Sequence, residues 1–151
     1  EVFKEFRDRA NTLRRDISKH CKSPSVKNIY SEIFSKSINS LAFNLIALKS
    51  EKNNFQLKKS KKEKENIRRI LFEGDQFLKN NNIKVFQTIS SRINQTLSST
   101  THTMSMLNAY KNNQEIEIVK LWNSFEDLIV PLNYKMPTTK KIFSIVKNKI
   151  K

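Results

Sequence analysis

A single glycine, Gly74, stands in a chain of 151 residues. Hairpin turns, bulges and phosphate-cradling loops need backbone conformations that glycine adopts cheaply, so a chain this poor in glycine is ill suited to build them. Only three prolines accompany it, Pro24, Pro131 and Pro137. With so few breakers the backbone can run in long helices, and the length suits one domain with a buried core. The expectation is an all-α chain: a single helical bundle of five or six helices over residues 1–151, with no sheet.

Apolar spacing supports this reading. Phe3, Phe6, Ala10, Leu13 and Ile17 recur at helical intervals and predict a first helix to about residue 20. Cys21-Lys22-Ser23-Pro24 breaks it, with Ser23 placed to cap a second helix and Pro24 at its first position. That helix is expected over 24–49, with Ile29, Ile33, Phe34 and Ile38 in its stripe and Leu41 to Leu48 as the most buried stretch. Residues 50–59 read as a polar connection anchored by Phe55.

Ser60 and Glu63 have the spacing of a capping box and open a third helix to about Lys79. Ile67, Ile70, Leu71, Phe77 and Leu78 form its inner face. Gly74 shares that face, where another helix can approach closely. Asn80-Asn81-Asn82 ends it. From 83 to 110, Val85, Phe86, Ile89, Ile93, Leu97, Met104, Leu107 and Tyr110 are expected inward, with a break in the Ser/Thr-rich stretch 96–103. Asn112 and Glu115 repeat the box spacing before a helix that Pro131 closes, with Trp122 central to the core. Residues 132–151 form a linker and a basic C-terminal helix packed on, or appended to, the bundle.

The formal net charge is +15, which favours polyanions: nucleic acid, an anionic membrane or an acidic protein partner. It is concentrated in two places. Residues 58–69 hold seven cations, Lys58, Lys59, Lys61, Lys62, Lys64, Arg68 and Arg69, against Glu63 and Glu65. Residues 135–151 hold six lysines and no acid, among them Lys140, Lys141 and Lys147. These cations are the expected nucleic-acid-binding residues, for RNA or DNA. Lysines neutralise phosphates without reading sequence, and the arginines can pair with them bidentately. Tyr30, Phe55, Tyr110 and Tyr134 are candidate aromatic partners. The C-terminal helix is also basic and amphipathic, the type that can lie on anionic membranes, although packing on the bundle would use the same stripe.

Chemistry beyond binding has little support. Cys21 is alone, which excludes an intrachain disulfide and fits an intracellular, cytoplasmic or nuclear, protein. Cys21 and His20 lack further metal ligands, and no paired carboxylates, Ser-His-Asp grouping or Gly-rich loop stands out, so no metal, cofactor or catalytic role is expected. No uncharged run approaches the ~20 residues of a membrane span. The chain opens on Glu1 rather than Met, the pattern of a fragment or processed form.

Two local resemblances supply other readings. Arg15-Asp16-Ile17-Ser18-Lys19-His20 resembles the active-site motif of the all-helical HEPN-type ribonucleases, which implies metal-independent RNA cleavage by Arg15 and His20. Phe77-Leu78-Lys79, the spacing to Ile83, Val85 and Ile89, and Leu121-Trp122-Asn123-Ser124-Phe125 are similar to helical domains of transcription-elongation and chromatin adaptors. That resemblance implies a protein-protein adaptor that captures short peptides. The leading expectation is a non-enzymatic interaction module that binds nucleic acid through its basic helix starts.

Overall fold

The computed structural model describes residues 29–99 and 102–150, together with residues 8, 9, 12 and 15. The apolar seam expected over 1–20, the Ser23-Pro24 cap, Cys21 and His20 lie outside the described residues. The described chain is all-helical. Among the described residues from 29 onward there are seven helices and no strand: α1 (Ile29–Ser50), α2 (Asn54–Lys59), α3 (Lys61–Asn80), α4 (Ile89–Thr96), α5 (Ser105–Lys111), α6 (Ile118–Ile129) and α7 (Pro137–Lys149). The count exceeds the expected five or six.

One source of the excess is α2, which replaces the expected polar connection. Asn53 accepts from the Gln56 backbone N–H at 3.0 Å while the Gln56 side chain accepts from the Asn53 N–H at 3.1 Å, a complete capping box. Two orphan donors are satisfied at once, enough to hold a single turn and a half against the core. Leu57 is its buried apolar residue, beside the buried Asn54, while Phe55 is exposed and anchors nothing in the core. The Ser/Thr-rich stretch separates α4 from α5 as expected. Asn54 ties α2 to that stretch, donating from its backbone to His102 O and from its side chain to Thr96 O.

α1 is the central element. Leu41, Ala42, Phe43, Leu45, Ile46, Ala47 and Leu48 are all buried, as the widening stripe predicts, and α3, α5, α6 and α7 all pack against it. Gly74 of α3 sits against Ile38, and Glu63 near the start of α3 pairs with Lys49 near the end of α1, so the two helices run antiparallel. α7 runs parallel to α1: Thr138 and Thr139 meet Glu73 at one end, and Lys149 donates to Leu48 O at the other. The stripe of α7 is spent on packing, with Ile142, Phe143 and Val146 buried and Phe143 stacked on Trp122 at 5.3 Å. It is therefore unavailable to lie on a membrane. No helix among the described residues is long and apolar enough to cross one.

Helix starts divide into two kinds. Ser60 and Thr88 cap α3 and α4 locally, accepting from Glu63 N and Ser91 N. The reciprocal half of the Ser60 box does not form, because the Glu63 carboxylate is taken by Lys49 and Asn66. α5 and α7 have no side-chain cap of their own. Asn44 of α1 accepts from Met106 N for α5, and Glu73 of α3 accepts from Thr138 N and Thr139 N for α7. The box expected at Asn112 and Glu115 is absent. α6 begins later, and Glu115 pairs with Lys120 instead.

Candidate nucleic-acid interface

Ser60 ends α2 and caps α3, so Lys58 and Lys59 fall in the last turn of one helix and Lys61 and Lys62 in the first turn of the next. The two pairs meet opposite fields. Cations at a helix C-terminus are favoured by the macrodipole, and Lys59 also lies 4.1 Å from the Phe55 ring centroid, a cation–π contact. Lys61 and Lys62 instead stand at the positive end of α3, where a cation is disfavoured and an anion welcome.

Lys61, Lys64 and Arg68 are spaced three and four apart and share a face of α3, over a rise of about 10 Å. They line an open cleft of about 930 Å³ with Lys62, Arg69 and Glu65, closed on its far side by Ser90, Ile93 and Asn94 of α4. Arg68 Nη1 lies 3.4 Å from Ser90 Oγ, which ties the two walls. Glu65 is the one acid in the lining, 3.6 Å from Arg68 and 3.3 Å from Arg69. All three side chains are at least half exposed, and such pairs contribute at most about 1 kcal/mol. Glu65 therefore orients the guanidinium groups without cancelling the surplus of four positive charges among the lining residues.

α4 owes its position to a buried ion pair. Arg92 is 1% exposed and donates to Asp75 of α3 through Nη2, with Asn39 Oδ1 of α1 at 3.5 Å from Nη1. Arg92 Nε and Asp75 Oδ1 are buried without partners. Burial pushes the Asp75 carboxyl above its ordinary range, against the lowering effect of Arg92. On the same helix α3, burial also opposes ionisation of Glu63, yet the Asn66 hydrogen bond and the Lys49 charge together hold it below the usual value.

The remaining expected cations do not join this cleft. Lys58 is exposed on α2. Lys140 lies 3.8 Å from Glu126 and borders a separate depression between α6 and α7. Lys147 sits 6.0 Å from the Phe143 ring centroid and lines a third hollow with Tyr110 and residues 113–116. Lys141 is exposed on α7. The C-terminal end of α7 does lie at the same end of the fold as the start of α3, since both meet the end of α1 at Lys49 to Glu51.

The expected aromatics are largely committed elsewhere. Tyr134 packs on Phe77 at 5.4 Å and donates to Glu73 O, while Tyr110 is partly buried beside Lys149. The Tyr30 side chain lies outside the described residues. Phe86, expected inward, is 48% exposed. Of the ribonuclease-like pair, Arg15 is described and His20 is not, so their geometry is not placed. Among the described residues no group of His, Cys, Asp and Glu is arranged to hold a metal ion. Sequence reasoning missed Ser90 and Asn94, since nothing in their spacing marks which wall they would form. No protein-family model, curated protein or solved structure matches the chain, so the site has only its own residues to speak for it.

Proposed function

We propose that this chain is a non-enzymatic module that binds nucleic acid, with Lys61, Lys62, Lys64, Arg68 and Arg69 as its principal phosphate contacts. The observation that carries the reading is their convergence on one open cleft with a single acid in its lining. Ser90 and Asn94 add neutral hydrogen-bonding groups that suit phosphate or sugar oxygens. Two of the cations stand where the helix field opposes them, an arrangement that costs stability in the free protein and is relieved by a bound polyanion. The lysines of α7 extend the positive field and steer association.

The test is the salt dependence of affinity. With five phosphates neutralised, the slope of log K against log salt should be about −3.5 for single strands and −4.5 for duplex. Binding that ignores salt, or no binding to RNA or DNA at low salt, overturns the reading.

A separate observation favours a second reading, a protein-protein adaptor. The depression between α6 and α7, about 350 Å³, is walled by Trp122, Ile129, Val130, Tyr134, Met136 and Pro137, with Lys135 and Lys140 also in its lining. It suits one apolar side chain of a short peptide with an acidic flank. A protein partner kept after nuclease treatment, and lost with Val130→Asp or Lys140→Glu, supports this; a partner unaffected by both removes it.

A further inference from the structure

α4 is a ridge between two unlike clefts. Ser90, Ile93 and Asn94 belong to the basic cleft, while Arg92, Gln95 and Thr96 belong to a second one, about 600 Å³, on the other side. Successive residues turn about 100° around a helix, so this short element presents one polar edge to each side, about 10 Å apart. The second cleft is walled by Ile33 and Phe86 and carries the side-chain amides of Gln87 and Gln95. Phe86 offers an exposed ring, with Lys84 Nζ 5.6 Å from its centroid. Arg92 also lines this cleft, is nine-tenths buried or more, and keeps its Nε–H without a partner.

Cations on one side of a ridge and an aromatic face with amides on the other match the two halves of a nucleotide. The phosphate is charged; the base is planar and edged with donors and acceptors. In a duplex the base faces are stacked inside and cannot reach a side cleft. In a single strand they are free to stack on an aromatic side chain. Gln87 and Gln95 each offer a donor and an acceptor, so they can meet any base edge, which suits recognition without sequence preference. We infer that the chain takes single-stranded nucleic acid, with phosphates along the α3 cations and a base laid across α4 against Phe86. This rests on the nucleic-acid reading above and names the strandedness of its ligand.

Fluorescence polarisation separates the two. Probes are RNA and DNA single strands of roughly ten nucleotides, within the span such units cover, the matched duplex, and inorganic polyphosphate. Phe86→Ala should weaken both single strands roughly five- to a hundredfold and leave polyphosphate affinity unchanged. Phe86→Trp keeps the ring and should retain the affinity, and the emission of the added indole should quench with the oligonucleotide and not with polyphosphate. The Lys64→Glu/Arg68→Glu pair should weaken every probe. Single-strand affinity unchanged by Phe86→Ala, or an added indole left unquenched in Phe86→Trp, overturns the inference while the basic-cleft reading stands. Failure of every polyanion to bind at low salt overturns both.

Discussion

A Cβ placed on Gly74 would lie 2.6 Å from Ile38 Cγ2 and 2.9 Å from Ile38 Cδ1. The one glycine of the chain marks a close approach of α3 to α1. Ile38 is fully buried and β-branched, so it has no room to swing away. Gly74→Ala should therefore destabilise by about 1 kcal/mol net, since overpacking costs roughly 1–3 kcal/mol and helix propensity returns about 1. Urea unfolding should show a lower midpoint, and Ile38→Ala should be less harmful in the Gly74→Ala background than alone. A stabilised Gly74→Ala variant would contradict the close approach.

Glu73 holds the start of α7 from across the fold, accepting from Thr138 N at 2.7 Å, Thr139 N at 3.0 Å and Thr139 Oγ1 at 2.7 Å. These backbone donors belong to the second and third residues of the helix, after Pro137, and no local side chain satisfies them. Glu73→Ala should cost about 2 kcal/mol, the sum expected of a lost cap and a charge-assisted bond. Hydrogen exchange at Thr138 and Thr139 should quicken more than exchange in α4. Equal quickening in both would mean general loosening instead.

Arg92 and Asp75 fix α4 to α3, and truncating one side leaves the other buried without its partner. Arg92→Leu should destabilise by about 3 kcal/mol, and Arg92→Leu/Asp75→Leu should recover much of that, because an apolar pair removes both desolvation costs. Thermal melts of the three proteins decide it; a double variant worse than Arg92→Leu would contradict the argument.

Glu63 predicts an acid limb in stability. Its folded pKa lies below the ordinary 4.5, so its stabilisation is present above that value and is lost as pH falls through the folded one. Asp75 has the opposite sign. Its raised pKa means the folded state holds the proton more tightly, and its contribution falls as pH rises through that value. Glu63→Gln should lower stability at neutral pH and flatten its pH dependence on the acid side of 4.5. An unchanged acid limb in Glu63→Gln would exclude this ion pair as its source.

The two basic clusters should be unequal. Lys61→Glu/Arg68→Glu should reduce the salt slope by at least about 1.4 to 1.8 units for single and double strands, while Lys140→Glu/Lys147→Glu should slow association with a smaller change in slope. Equal losses from both pairs would place binding on overall charge and not on the α3 cleft.

Much of the helical framework was legible in the chain because its determinants are local. Leu41 to Leu48 announced the central buried stretch, Ser60 the start of α3, Asn80 to Asn82 its end, and the Ser/Thr run the gap between α4 and α5. Glu63 and Phe55 misled for one reason: each had a local role at hand and a tertiary circumstance overrode it. Glu63 turned to Lys49, and Phe55 was left outside while Leu57 took the core side of α2.

The sequence by itself determined the helical class, because periodicity and the scarcity of breakers act over a few residues at a time. It also determined the basic character of the start of α3. The tertiary structure alone supplied the caps of α5 and α7, since Asn44 and Glu73 reach them from 62 and 65 residues away in the chain. It likewise set α4 beside the α3 cations, through a buried pair 17 residues apart whose geometry no local spacing encodes. A run of lysines is a property of the chain. A cleft needs a second wall, and only packing supplies one.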